Sequence, residues 1–217
     1  MTIKSIPLTN ELHAYLVAHG SPPDEIIRDL AEETRSVLPE HATMQVAPEQ
    51  AAFLTFLTRL LGVRQAVEVG TFTGLSSLAI ARGLPEGGRL TCFDISEEFT
   101  GIARRYWARA GVQDLIDLRI GPAADGLREL PHERHLDFAF IDADKTGYPI
   151  YWAELVPRMR PGGVIAVDNV LRGGRVIAPR DAADRAIAAF NDEVVADVRV
   201  DPVMLAIADG LTLARVR

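Results

Sequence analysis

Apolar and polar positions follow two rhythms along the chain. Through about residue 61 the spacing is helical, and it predicts helices over Leu8–Val17, Pro23–Leu38 and Pro48–Leu61, with Pro23 and Pro48 at first-turn positions. Beyond that point, short apolar runs alternate with helical stretches. Strands are predicted at Ala66–Val69, Arg89–Phe93, Leu115–Ile120, Asp137–Ile141 and Val164–Val167. The intervening helices are expected near Leu75–Arg82, Glu97–Ala110, Ala124–Leu130, Pro149–Met159 and Asp181–Glu193, and two closing strands near Val198–Val203 and Leu211–Val216. Five strand–helix repeats imply an α/β fold built on a mostly parallel sheet with helices on both faces. The chain then reads as one domain spanning 1–217, whose first 45 residues are an extra helical segment.

Composition narrows the class. The 217 residues are 48% hydrophobic, enough for a full core. No apolar run reaches the roughly 20 residues of a membrane span, and MTIKSIPLTN lacks a signal-peptide core. The single Cys92 excludes an internal disulfide framework and suits a reducing, cytoplasmic setting. A net charge of −7 argues against a nucleic-acid partner. Of 23 basic residues, 21 are arginine, and Lys4 and Lys145 are the only lysines.

In parallel sheets, ligands bind beyond the carboxyl ends of the strands, so those ends carry the candidate chemistry. The first ends in Glu68-Val69-Gly70-Thr71-Phe72-Thr73-Gly74, a spacing unlike that of dinucleotide binders, and a plain strand–helix turn explains it as well as a ligand cradle does. The second ends at Asp94, 26 residues after Glu68. A carboxylate there suits two ribose hydroxyls; Ser96 is the better helix cap, with Glu97 and Glu98 following it. The third runs into Gly121-Pro122-Ala123. The fourth ends in Asp142-Ala143-Asp144-Lys145 and the fifth in Asp168-Asn169. If those two strands are neighbours, Asp142 faces the Asp168–Asn169 pair across about 4.8 Å. Two carboxylates and an amide oxygen make a hard, oxygen-only site suited to Mg²⁺ and not to zinc, the other reading being loop acids that cap helices.

Taken together, these motifs resemble the cation-dependent O-methyltransferases of the catechol and caffeoyl-coenzyme-A type. The likeness runs from about Met44 to the C-terminus through Met44-Gln45-Val46, the Glu68–Gly74 turn, Asp94, Gly121-Pro122-Ala123, Asp142-Ala143-Asp144-Lys145, Asp168-Asn169-Val170-Leu171 and Asp209-Gly210-Leu211-Thr212. The resemblance implies a Rossmann-like, doubly wound seven-stranded sheet and a homodimer. It implies that Val46, Glu68, Gly70, Thr71, Ser76, Asp94 and Ala123 line an S-adenosylmethionine pocket, with Asp142 and Asp144 beside it. Asp142, Asp168 and Asn169 would hold Mg²⁺, Mn²⁺ or Ca²⁺, and Lys145 would be the base. The implied acceptor is a small vicinal dihydroxy aromatic. Elementary chemistry agrees: a phenol with a pKa near about 10 must lose its proton before it attacks a sulfonium methyl, and lysine, unlike arginine, can accept one.

One departure concerns the acceptor. Relatives often carry a tryptophan after Asp-Asn-x-Leu, where this chain has Arg172, then Gly173-Gly174-Arg175 and Arg180. Two readings stand: a solvated flexible loop, or a grip on a substrate carboxylate or phosphate. His13, His19, His41, His132 and His135 show no ligand spacing, and Cys92, Trp107 and Trp152 read as packing residues. The rival functions are an RNA methyltransferase and a nonenzymatic cofactor-binding module.

Overall fold

A computed structural model describes residues 6–217, so Lys4 lies outside the described residues. Seven strands form one sheet: β1 (Gln65–Val69), β2 (Arg89–Asp94), β3 (Ile116–Ile120), β4 (Leu136–Ile141), β5 (Met159–Asp168), β6 (Val200–Leu205) and β7 (Leu211–Val216). Their order is β3-β2-β1-β4-β5-β7-β6. The first five run parallel, and β7 lies antiparallel between β5 and β6. The expected doubly wound, mostly parallel sheet is therefore present, and the order in which strands are added reverses between β1 and β4. That switch opens a crevice at the strand ends, where ligands bind in such sheets.

The central strands are buried on both faces, as parallel strands between helical layers must be. In β4, Phe138 and Phe140 enter one core and Ala139 and Ile141 the other. The first core packs against α2 (Glu25–Val37), α3 (Pro48–Leu60), α4 (Leu75–Ala81) and α5 (Glu97–Arg109), through Leu30, Leu54, Leu78 and Trp107. The second packs against α6 (Ala123–Arg128), α7 (Tyr148–Leu155) and α8 (Ala182–Ala196), through Leu127, Trp152 and Phe190. Alternation along β1 sends Val67 and Val69 to the second core and puts Glu68 on the face of Ala66, among apolar neighbours.

Several boundaries differ from expectation, each for a local reason. The first helix, α1 (Asn10–His19), starts two residues late because the Thr9 side chain caps it by accepting the Leu12 N–H. Asp24 caps α2, which leaves Pro23 outside the first turn; Pro48 does occupy that position in α3. The helix expected to reach Met159 ends at Leu155, followed by a 3₁₀ turn, and β5 starts at Met159 instead of Val164. Pro161-Gly162-Gly163 does not precede the strand but bulges it: Leu136 pairs with Met159, then Phe138 with Val164. Asp137 fastens this bulge, pairing with Arg160 and accepting the N–H groups of Arg64 and Gln65. At the end of the chain, α8 runs three residues beyond Glu193, and β6 lies two residues later than expected.

Candidate active site

The turn after β1 is built around two left-handed glycines. Gly70 has φ +90°, and an added Cβ would run into the backbone carbonyl of Asp142 at the end of β4. Gly74 has φ +86° and sits against Ala103 and Trp107 of α5. Both sites favour glycine twice over, by backbone conformation and by space. The close approach here is to the protein's own backbone and helix, a tighter requirement than the ligand cradle read from the sequence.

Asp94 holds the same turn from the other side. Its Oδ2 accepts the Thr71 and Phe72 N–H groups at 2.9 and 2.7 Å, and its Oδ1 accepts the Ser96 N–H at 2.8 Å. A carboxylate offers about four acceptor positions, so three are already engaged. Ser96 caps α5, accepting the Phe99 N–H, as expected.

Behind the turn, Glu68 is fully buried and neither of its carboxylate oxygens has a hydrogen-bond partner. Burial pushes its carboxyl up to about 8, and the Asp142 charge adds to this, while nearby Ser76, Cys92 and Thr71 act the other way. Cys92 is buried beside it in the sheet register, its thiol pushed up by burial, which fits packing and not nucleophilic work.

Strands β4 and β5 are neighbours, with Ile141 opposite Val167, so Asp142 and Asp168 do face one another. The Lys145 ammonium donates to Asp142 Oδ1 at 3.0 Å, to Asn169 Oδ1 at 2.7 Å and to the Tyr148 hydroxyl at 2.6 Å. Tyr148 in turn donates to the Asp168 carbonyl at 3.1 Å. Asp168 is 2% exposed; burial and then the Asp142 charge push its carboxyl up to about 7, against the pull of the Gln50 amide, the Asn169 N–H and Lys145. Asp144 accepts from the Tyr151 hydroxyl and from Thr146. Among the described residues no cluster of three His, Cys, Asp or Glu side chains could hold a metal ion. The oxygen set of Asp142, Asp168 and Asn169 has only two acids, and a cationic group already draws two of its members together. That donor chemistry fits a hard divalent cation.

A cleft of about 690 Å³ joins these parts. Of the residues expected at the site, Val46, Gly70, Thr71, Ser76, Asp94, Ala123, Asp142, Asp144, Lys145, Asn169 and Arg172 line it. Glu68 and Asp168 are buried and do not line it. Phe72 and Phe99, whose rings meet edge to face at 5.0 Å, also line the cleft, as does Tyr151. The sequence reading missed these three, although aromatics beside a strand end were a usable signal.

The N-terminal segment contributes directly. Gln45 donates to Thr34 and to Thr73, both at 2.9 Å, tying α2 to the glycine turn and holding Met44 and Val46 at the rim. The loop after β5 is not free. Arg172 and Arg175 both pair with Asp184, which is fully buried and also accepts the Arg180 N–H. These hydrogen bonds, against burial, hold its carboxyl below the ordinary range. Of the histidines, His13 pairs with Glu49 and His41 packs on Phe99. Trp107 and Trp152 are buried, as expected.

A doubly wound sheet with a lined crevice at its switch point and acids on three strand ends defines an α/β protein with a ligand site at the carboxyl ends of its strands. The sequence profile of the O-methyltransferase family matches residues 18–217, and the chain belongs to that family. It is similar to a probable caffeoyl-CoA O-methyltransferase of Dictyostelium discoideum, 39% identical over 96% of this chain and 93% of that protein. A caffeoyl-CoA O-methyltransferase of Zea mays is 35% identical over 98% and 85%. The O-methyltransferase of Bacillus cereus, solved with S-adenosylhomocysteine, superposes with a TM-score of 0.86 at 33% identity, over 95% of this chain and 97% of that one. TomG of Streptomyces achromogenes, solved with S-adenosylmethionine, gives 0.86 at 32%, over 95% and 96%. The expectation of an O-methyltransferase enzyme is borne out, and the nonenzymatic module is set aside. Among the described residues no helix is long and apolar enough to cross a membrane.

Proposed function

We propose that this protein transfers the methyl group of S-adenosylmethionine to one hydroxyl of a small vicinal dihydroxy aromatic acceptor, with a divalent cation, Mg²⁺ or else Mn²⁺ or Ca²⁺, held by Asp142, Asp168 and Asn169. The observation that carries this reading is the convergence of Asp142 and Asn169 oxygens on the Lys145 ammonium, at a cleft shared with the glycine turn. When bound, the cation supplies charge that lowers the pKa of an acceptor hydroxyl and fixes its direction.

The chain's own residues do the rest. Glu68, buried with no partner behind the cleft wall, supplies as a carboxylate the negative charge that favours the α-ammonium of S-adenosylmethionine. Asp94 fixes the turn amides and keeps one acceptor position for a ribose hydroxyl. Gly70, Thr71, Ser76, Val46 and Ala123 give the cofactor its walls, and Asp144 is held beside them by Tyr151. Lys145, after giving a proton of its own to solvent, takes the acceptor proton as a neutral amine; the methyl carbon leaves sulfur and bonds to oxygen. The products are an aryl methyl ether, S-adenosylhomocysteine and a proton. A cleft that held cofactor and acceptor together would supply the proximity that such a displacement needs. We also read the protein as a homodimer, since α1 buries none of its residues and leaves Tyr15 and Leu16 exposed.

The test is transfer of labelled methyl from S-adenosylmethionine to a catechol panel, with Mg²⁺ and with excess chelator. Chelator-sensitive methylation is the expected result. Cofactor binding without transfer to any catechol sinks the acceptor assignment.

A further inference from the structure

Non-glycine residues with positive φ are few, and among the described residues they are Phe72, Asn169, Arg172 and Ala208. Three of these line the cleft. Left-handed backbone is unfavourable for a side chain as large as arginine and persists where the surroundings enforce it. At Arg172, with φ +50°, the side chain is held by Asp184.

Asp184 is an unusual acid. It lies in the first turn of α8, yet none of it is exposed. It accepts Arg172 Nε at 3.2 Å and Arg175 Nε at 3.1 and 3.0 Å on its two oxygens, and the Arg180 N–H at 3.2 Å. Two guanidiniums share one carboxylate, so the cluster keeps a net positive charge. Arg172 spends only its Nε on Asp184; among the described residues its two terminal nitrogens have no hydrogen-bond partner. Its side chain is 20% exposed and lies on the cleft wall with Lys145 and Asn169. The nearby acids Asp142 and Asp144 are engaged by Lys145 and Tyr151.

A guanidinium oriented through Nε presents its remaining N–H groups as a fork, which matches two oxygens of one anionic group. We infer that the acceptor carries an anionic oxygen group, carboxylate or phosphate, which Arg172 binds while Asp184 positions it. This rests on the methyl-transfer reading above and specifies the acceptor within it.

The probes are 3-(3,4-dihydroxyphenyl)propanoate, its methyl ester, and the corresponding ethylphosphonate, all with Mg²⁺ and S-adenosylmethionine. The two-carbon spacer isolates ring electronics from the charge, so any preference reports on binding of the anion. The wild-type protein is expected to favour an anionic acceptor over the ester by about tenfold or more in kcat/KM, mainly through KM. Whichever of carboxylate and phosphonate is preferred identifies the source of the anion. In Arg172→Met, which keeps the same left-handed backbone requirement, that ratio should collapse toward one, and Arg172→Lys should keep part of it. An acid-to-ester ratio near one in the wild type, which needs no variant to fold, overturns the proposal while leaving the methyl-transfer reading intact. A wild-type ratio that survives Arg172→Met overturns it equally. Methylation of none of the three probes by a protein that binds the cofactor overturns the catechol reading and this proposal with it.

Discussion

Gly70 packs so closely on Asp142 that the carbonyl oxygen of Asp142 occupies the space where a Cβ would stand. The Asp142 N–H meanwhile donates to the Val69 carbonyl at 2.8 Å. The turn read as the cofactor cradle and the strand end read as the cation site are thus one rigid unit. Gly70→Ala must both strain a φ of +90° and displace backbone, and should cost about 3 kcal/mol or more. Gly111 has φ +69° with nothing within 4 Å of an added Cβ, so Gly111→Ala should cost only about 1–2 kcal/mol. Denaturant unfolding of both variants checks this; equal losses would mean the Asp142 contact carries no penalty.

Glu68 predicts a pH dependence. Its carboxyl is raised from 4.5 to about 8, so the empty protein holds it protonated at pH 7. Receiving an ammonium requires the carboxylate, so cofactor binding should release close to one proton near pH 7. Apparent affinity for S-adenosylmethionine should then rise by up to about tenfold per unit between pH 6 and 7.5. Stability runs the other way. The folded state binds this proton more tightly than the unfolded chain, so the contribution is full below 4.5 and drains away as pH climbs toward about 8. Glu68→Gln should flatten both slopes. Calorimetry in buffers of different ionisation enthalpy reads the proton, and an unchanged release in Glu68→Gln would remove Glu68 from the cofactor site.

How much of this was legible in the sequence depends on the reach of each interaction. The parallel sheet follows from alternation, and the acids at its strand ends from the rule that ligands gather at one sheet edge, whereas the adjacency of the fourth and fifth strands stood only as a condition until the strand order was seen. The start of β5 was hidden because Pro161-Gly162-Gly163 looks like punctuation, whereas the chain uses it as a bulge pinned by Asp137, over 20 residues away. Asp184 resembles any acid in a first helical turn, and its arginine partners became visible only once the loop folded back. The tie from Gln45 to Thr34 and Thr73 joins residues 11 and 28 apart, beyond any local pattern. That Glu68 lacks a partner is a property of the packed core, which no spacing records.

Cation dependence should appear in binding as well as in turnover. Asp168 is nearly buried opposite Asp142, and the nearest positive charge, Lys145, bonds Asp142 and Asn169 but not Asp168. Adding Mg²⁺ should therefore raise the Tm of the cofactor-free protein, and excess chelator should reverse the shift. Asp168→Asn should abolish the Mg²⁺-dependent shift and cut transfer to catechols by about 100-fold or more. A shift of the same size in Asp168→Asn would place the cation elsewhere.

Lys145 offers the sharpest separation of chemistry from binding. Its Nζ is held by Asp142, Asn169 and Tyr148, three partners that would also suit an arginine. Arg119 and the other 20 arginines show that this chain readily uses guanidinium where only charge is needed. What arginine does not do is give up its proton at any pH a protein tolerates. Lys145→Arg should therefore keep the charge and the fold, hold the Kd for S-adenosylhomocysteine within about threefold, and lower kcat by about 100-fold or more. Lys145→Met, lacking the charge as well, should lose kcat to a similar extent. Near-normal turnover in Lys145→Arg would show that the acceptor proton leaves by another route and would confine Lys145 to positioning Asp142 and Asn169.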